Sequence, residues 1–495
     1  MTVATVLEKS GVLSALEPAL AARQVSGLAY DSRVVEPENL FFAFPGARAD
    51  GRRFAADALQ KGALAVVSES VPPEDFAGSW IQVAHGRKAL AAASKIFFGA
   101  PDERLFLVAI TGTNGKTTTS YLVDHILRTA GFKTSLVGTI GYHVSGRPLP
   151  AVNTTPESLD LYRMLDQSVR EGVTHFIFEN SSHAQALGRS YGLFVYSAIF
   201  SNLTRDHLDF HSTMERYFGA KALMFQPEGV APPRAAVINH DDEWGRRLPL
   251  AGGTHVYWYG MQSGAAYRAE EIENDFGGLR FAIRTPQGAV AIRSPLVGHI
   301  NVYNILAAFC CGLSLGIDAS VIAKGIAECP AVPGRFERID MGQRFLVAVD
   351  YAHTDDAIRN VVAVARSLKP KRVITLFGCG GDRDRTKRPL MGKAAAEASD
   401  YIVLTSDNPR SEDPLRIIED VMPGLEGYST PRLIEPDRET AIRAALTQAE
   451  PGDIVLLTGK GCETYQVLAD RTIDFDDREV SRRLLREMGY SGVAP

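Results

Sequence analysis

The chain has 495 residues, 45% hydrophobic and 22% charged, enough to bury more than one core and to divide into roughly three domains of ordinary size. Its 53 Lys and Arg against 58 Asp and Glu leave a net charge of -5, which excludes a global field favouring nucleic acid or an anionic membrane; an anionic ligand must be gripped locally. No apolar run approaches the roughly 18 residues of a membrane-spanning helix, the start MTVATVLEKS lacks a basic signal-like region, and the 5 cysteines show no C-x-x-C spacing, so a cytoplasmic protein with free thiols, no membrane insertion and no zinc site is expected.

Residues 1–100 carry short apolar runs, "NLFFAFPG" (39–46) and "GALAVVSE" (62–69), between helix-like stretches, which predicts a small α/β domain. A central domain, 101–332, opens with "RLFLVAI", a continuous apolar run of the kind found in buried parallel strands. A glycine loop and the amphipathic "TTTSYLVDHILRTAG" follow, with Gly131 placed to end the helix. Further strands are expected at "HFIFEN" and "YSAIFSNL". From 333 to 495 the pattern alternates: "FLVAVDYAH", "RVITLFGCGGDRD", "YIVLTSDNPR" and "DIVLLTGKGCE" are separated by helical stretches such as "DAIRNVVAVARSL" and "RETAIRAALTQA". The expected class is therefore α/β with three domains, the central one a parallel sheet of the phosphate-loop type and the last a doubly wound, Rossmann-like sheet.

In open α/β sheets, ligands bind beyond the carboxyl ends of the strands. In the last domain those ends carry Asp350 and His353, Arg383, Asp407, Asn408 and Arg410, then Lys460 and Glu463. One polar loop after a strand is unremarkable, but four so rich in Asp, Arg and Gly point to a site on one rim.

"ITGTNGKTTT" (110–119) is a shortened phosphate loop, with Ile110 where the commonest pattern has its first glycine. Gly112 and Gly115 let backbone N–H groups of the loop, which includes Thr113 and Asn114, turn toward phosphate oxygens at the helix start. Lys116 is placed for the outer phosphates and Thr117, followed by Thr118, for Mg²⁺, so ATP is the expected ligand. Glu179 and His207 follow neighbouring strands and could share that ion. His207 and His211 stand at i and i+4, but Leu208 occupies the position at which a zinc protease needs its glutamate, and His211 reads as a helix-surface or satisfied core histidine. Lys221, on its residue type alone, reads as a solvated helix lysine.

The segments "TGTNGKTTT", "NTTPE", "SSHA", "DHLDFH", "YFGAKALMF", "GHINVYNILAA", "PGRFE", "DYAHT", "GDRDRTKRP", "DNPR" and "GKGCE", in this order and across nearly the whole chain, resemble the Mur ligases of peptidoglycan synthesis. The resemblance is strongest to members that add meso-diaminopimelate to a UDP-muramoyl dipeptide. It implies a monomeric ligase in which ATP phosphorylates the D-glutamate side-chain carboxylate and an incoming amine displaces phosphate.

By the same resemblance Asn153, Thr154, Thr155, Ser181 and Arg189 hold the UDP-sugar peptide, while Ser32 and the "FPG" turn face its uridine end. Asn304, Arg335, Asp350 and His353 meet the nucleotide, and Thr117, Glu179, His207 and a carbamylated Lys221 hold Mg²⁺. Diaminopimelate falls to Arg383, Asp407, Asn408, Pro409, Arg410, Gly459 and Glu463, with the planar fork of Arg410 matched to a carboxylate that lysine lacks. Asn180, Asp355 and Cys462 depart from the family pattern, where an apolar residue, proline and histidine are usual. The competing expectations are a lysine-adding ligase of the same family, a nucleotide-dependent switch and a kinase.

Overall fold

The computed structural model describes residues 1–46 and 50–492, which form two compact units. The first comprises Met1–Ala269, Ile283–Val290 and Tyr303–Ile326, and the second Glu270–Ala282, Ala291–Val302 and Ala327–Pro495. No helix among the described residues is long and apolar enough to cross a membrane.

The first unit contains two sheets. Gly27–Ala29, Asn39–Phe42, Ala65–Ser68 and Trp80–Gln82 pair in that order, all parallel. Side chains alternate across a strand, so Leu40 and Phe42 enter one core with Leu28 and Val67 while Phe41 joins Ala29 and Val66 in another. Because both faces are covered, the run reads as continuously apolar.

Within the larger, eleven-stranded sheet, six consecutive parallel strands run in the order His255–Gly260, Ala235–Asn239, Ser197–Phe200, Phe106–Thr111, His175–Glu179 and Thr134–Val137. From Phe106–Thr111 the chain first builds out on one side and then crosses to the other. The end of that strand is therefore a topological switch point, where open α/β sheets hold ligands. Ile110 is level with Glu179 and Thr111 with Phe200, which brings the glycine loop and Glu179 to one rim. The helix Lys116–Thr129 leaves the loop, and Gly131 takes positive φ just beyond its end.

In the second unit five parallel strands run in the order Leu346–Asp350, Ile454–Thr458, Val373–Phe377, Tyr401–Leu404 and Arg432–Ile434, with Glu337–Ile339 antiparallel at one edge. Leu346 and Ala348 pack with Ile358, Val362 and Met391 on one face, and Val347 and Val349 with Ile442, Leu446 and Leu484 on the other. Helices thus cover both faces, as in a doubly wound sheet. Asp350 lies level with Thr458, and Phe377 with Leu404, so the polar loops that follow share a rim.

Asp355 stands in the first turn of the helix Asp355–Ser367, capped by Thr354, and pairs with Arg359 at 2.9 Å. A carboxylate there is favoured by the helix dipole, which accounts for an acid where proline is usual. The five cysteines are free.

Candidate active site

The loop after Phe106–Thr111 is shaped by close approach. Gly112 (φ +146°) turns so tightly past Ser201 and Asn202 that a Cβ would overlap the Ser201 hydroxyl, and one at Gly115 (φ +87°) would overlap the Asn304 amide. Thr113 N–H donates to the Asn202 carbonyl (2.8 Å), and the Asn114 carbonyl accepts from Ser201 Oγ (2.6 Å) and Asn202 Nδ2 (3.1 Å). Lys116 Nζ folds back over this cradle and donates to the carbonyls of Gly112 and Thr113, each at 3.0 Å. Thr118 is buried in the same first helical turn. Asn304, itself buried, accepts from Thr119 Oγ1 at 3.4 Å.

Glu179 is 1% exposed and sits at the centre of a hydroxyl network. Its carboxylate accepts from Thr117 Oγ1 (3.1 Å), Thr139 Oγ1 (3.0 Å) and Thr139 N–H (3.0 Å). Thr139 continues to Thr154 at 3.1 Å. Thr155 Oγ1 donates to the Glu179 carbonyl (2.7 Å) and accepts from Ser181 N–H (3.0 Å), while Asn153 is held through the Tyr142 hydroxyl. Asn180, buried, accepts from Ser190 Oγ at 3.1 Å, so its polar side chain is satisfied where an apolar one is usual. In the smaller sheet domain Ser32 is buried and its carbonyl accepts from Lys61 Nζ at 2.8 Å.

Lys221 is not a solvated helix lysine. It is 1% exposed, its Nζ donates to the Gly112 carbonyl at 2.8 Å, and it lies 4.7 Å from the centre of the Tyr217 ring. Burial, and then the Lys116 ammonium, push its pKa well below the ordinary lysine value. Two amines therefore converge on one carbonyl, an arrangement that favours leaving one of them neutral.

His207 takes left-handed backbone (φ 53°), with its ring 4.7 Å from His183 and 6.1 Å from Tyr217, whose hydroxyl pairs with Thr113 Oγ1 at 3.1 Å. Burial lowers its pKa against the opposing pull of Asp206. His211 proves to be a satisfied core histidine, bonded to Ser182 Oγ at 3.0 Å and pushed down to about 4 by burial and the neighbouring His183, His207 and Lys221. No group of three or more His, Cys, Asp or Glu among the described residues could hold a metal alone. Mg²⁺ is a different case, since one or two carboxylates, together with substrate phosphates and water, commonly suffice to bind it. The Thr117 hydroxyl and Glu179 carboxylate, 3.1 Å apart beside the glycine loop, fit that ion.

In the second unit the rim is bound together by a closed polar group. Asn408 Nδ2 donates to Glu463 Oε2 (2.8 Å), and the fully buried Lys460 reaches both Asn408 Oδ1 (3.2 Å) and Glu463 Oε2 (3.3 Å). Asp407 accepts from Asn408 N–H at 2.7 Å, and Gly459 N–H donates to the Asp350 carbonyl at 3.1 Å. The Pro409 carbonyl accepts from Glu412 N–H at 3.1 Å. Arg410 holds the Gly381 carbonyl with Nη1 at 2.8 Å, and Arg383 lies on the adjoining turn. Asp350 accepts from the N–H groups of Phe336 (2.7 Å) and Ala352 (2.9 Å), with burial raising its pKa against the pull of Arg335. Arg335 lies 5.1 Å from the Tyr351 ring centre, and His353 bonds the Tyr351 carbonyl at 2.8 Å. Cys462 is half-buried, and its carbonyl accepts from Arg478.

Two supporting arginines carry no sequence signal beyond their residue type. Arg388, buried, ties Glu412 (2.8 Å) and Asp420 (2.7 Å) together behind the loops of Arg383 and Arg410. Arg438 and Asp477, both fully buried in their side chains, pair at 2.6 Å, and the same guanidinium holds the carbonyls of Ser406 (3.1 Å) and Thr458 (3.0 Å). Those carbonyls immediately precede Asp407 and Gly459. Arg438→Met should strand a buried carboxylate and cost about 3 to 5 kcal/mol. A urea titration showing no fall in the unfolding midpoint would contradict that role.

Residues 24–97, 110–312 and 334–461 match, respectively, the catalytic domain of the Mur ligase family, the Mur ligase middle domain and the Mur ligase glutamate ligase domain. The UDP-N-acetylmuramoyl-L-alanyl-D-glutamate--2,6-diaminopimelate ligase of Solibacter usitatus is 62% identical over 475 residues, 96% of each chain. The chain belongs to the Mur ligase family. The ligase of the same description from Geobacillus thermodenitrificans is 45% identical over 94% of this chain and 95% of its own. A solved structure of a ligase so described aligns with TM-score 0.70 and 33% identity, covering 97% of this chain and 98% of that one. The Mur ligase architecture of N-terminal, middle and C-terminal domains thus accounts for the α/β fold with its two-sided parallel sheets.

Proposed function

We propose that this protein is the ATP-dependent ligase that joins meso-diaminopimelate to UDP-N-acetylmuramoyl-L-alanyl-D-glutamate, releasing ADP and phosphate. The observation that carries the reading is the 62% identity, over 96% of both chains, with a relative described by that activity. The chemistry explains why a phosphate loop belongs in an amide-forming enzyme. A carboxylate is a poor electrophile because its leaving group would be oxide. Transfer of the γ-phosphoryl group to the D-glutamate side chain makes an acyl phosphate, and the incoming amine then expels phosphate and loses a proton.

The loop Gly112–Thr118 and Lys116 hold the phosphates, and Asn304, Arg335, Asp350 and His353 are assigned to the nucleotide. Mg²⁺, assigned to Thr117, Glu179, His207 and a Lys221 carbamate, supplies charge neutralisation at the crowded oxygens. The depressed pKa of Lys221 supports the carbamate, since only a neutral amine adds CO₂. Ser32, the turn Phe44–Gly46, Asn153, Thr154, Thr155, Ser181 and Arg189 are assigned to the UDP-sugar peptide; Arg383, Asp407, Asn408, Pro409, Arg410, Gly459 and Glu463 to diaminopimelate.

Specificity is assigned to Arg410. Arg410→Ala leaves the distal carboxylate of diaminopimelate without its cation, a loss of roughly 2 to 5 kcal/mol, or about 30-fold to several-thousand-fold in kcat/KM. Lysine gains no new contact, so the preference narrows chiefly through lost diaminopimelate activity. Turnover measured with an amino-acid panel at saturating ATP and UDP-muramoyl dipeptide tests both claims. An unchanged preference in the variant removes Arg410 from the pocket, and a wild type favouring lysine overturns the substrate assignment while leaving the ligase chemistry.

A further inference from the structure

Beside the turn at Phe44 and Pro45 lies a charge cluster of which the assignments above use only Arg189. Glu157 Oε1 is 3.0 Å from Arg189 Nε and 3.5 Å from Arg87 Nε, with side-chain exposures of 11%, 16% and 12% for Glu157, Arg189 and Arg87. The two guanidinium groups point to different places. Arg87 lies 4.4 Å over the Phe44 ring and donates Nη1 to the Pro45 carbonyl at 3.1 Å. Arg189 donates Nη1 to the Thr155 carbonyl at 3.1 Å. Glu157 immediately precedes the helix Ser158–Arg170, at its positive end, and its Oε2 is buried with no hydrogen-bond partner.

We propose that Glu157 is a positioning residue that couples recognition of the substrate's nucleotide-sugar end to orientation of its peptide end, through Arg87 on one side and Arg189 on the other. The inference rests on the function proposed above, which assigns both the Phe44–Gly46 turn and Arg189 to the UDP-sugar peptide, and it takes the turn to face the uridine end and Arg189 the peptide end. Binding energy from a remote part of a substrate raises the rate only when it is transmitted to the reacting end. Arg87 Nε and Arg189 Nε are buried without a hydrogen-bond partner, so a single poorly hydrated carboxylate links the two guanidinium groups by charge, and moving either arginine leaves a charge uncompensated. Docking of the uridine fixes the Phe44 turn and Arg87, hence Glu157, hence Arg189 beside Thr155.

The test compares kcat/KM for the UDP-muramoyl dipeptide with that for the muramoyl dipeptide lacking UDP. The wild type should favour the full substrate, and in Glu157→Gln that preference should shrink roughly ten-fold. The KM values for ATP and diaminopimelate should stay unchanged, and Glu157→Asp should restore part of the preference. A Glu157→Gln enzyme that loses activity on both substrates equally has lost only a structural residue, and the coupling is overturned. Should that variant not fold, Arg87→Gln, which breaks the outer link, is expected to lose the same preference, and its retention overturns the proposal. Wild-type turnover of the full substrate with no preference over the truncated one overturns the coupling while sparing the ligase reading; absence of that turnover overturns both.

Discussion

Lys116→Ala should abolish amide formation while leaving a folded protein. The Lys116 ammonium lies over the loop, held by the carbonyls of Gly112 and Thr113, and the buried Lys221 donates to the same Gly112 carbonyl. Removing a preorganised charge from a developing phosphoryl transition state costs roughly 100- to 1,000-fold or more in kcat. The bonds lost to the folded state include those to the Gly112 and Thr113 carbonyls, made by a half-buried side chain and worth on the order of 1 kcal/mol each. Activity should therefore collapse with little change in the melting curve. Near-normal turnover with unchanged melting would remove the loop from the mechanism.

Lys221→Ala should be inactive as well, for a different reason, and that reason gives it a distinct signature. A carbamate on Lys221 is an anion, so acetate or formate entering the space left by the shortened side chain should return part of the activity, whereas neither should help Lys116→Ala. The sign of the pH effect follows from the lowered pKa: the folded protein resists protonating Lys221, so the neutral amine persists below the ordinary lysine range near 10.4. Enzyme depleted of CO₂ should lose activity and regain it with bicarbonate near neutral pH, without alkaline treatment. Retained activity in Lys221→Ala, or density for a bare amine in an active, ligand-bound crystal, counts against the carbamate.

Much of this was legible because the local signals were strong. The run "RLFLVAI", the glycines of the loop and the amphipathic stretch after it all concern neighbours in sequence, and strand, loop and helix appear where the pattern puts them. The polar ends of the strands in the last domain were likewise readable, since strand direction places them on one rim. Burial was not legible where it depends on distant chain. Lys221 on the helix Met214–Ala222 looks like any solvated lysine until the Gly112 carbonyl, 109 residues away in sequence, is seen to accept its amine. Arg438 and Asp477, 39 residues apart, and Glu157 between Arg87 and Arg189, are ordinary surface residue types whose partners are chosen only by the folded chain. Asn180 looked like a defect in an apolar position until Ser190 supplied its partner.

The central claim is that the phosphate acceptor is a carboxylate, and isotope transfer tests it most directly. UDP-muramoyl dipeptide labelled with ¹⁸O in the D-glutamate side-chain carboxylate is turned over with ATP and diaminopimelate, and the released inorganic phosphate is analysed by mass. Acyl-phosphate chemistry leaves one carboxylate oxygen in the amide and carries the other away, so each amide formed should yield one phosphate bearing one labelled oxygen. Amide formation that releases only unlabelled phosphate would contradict the account.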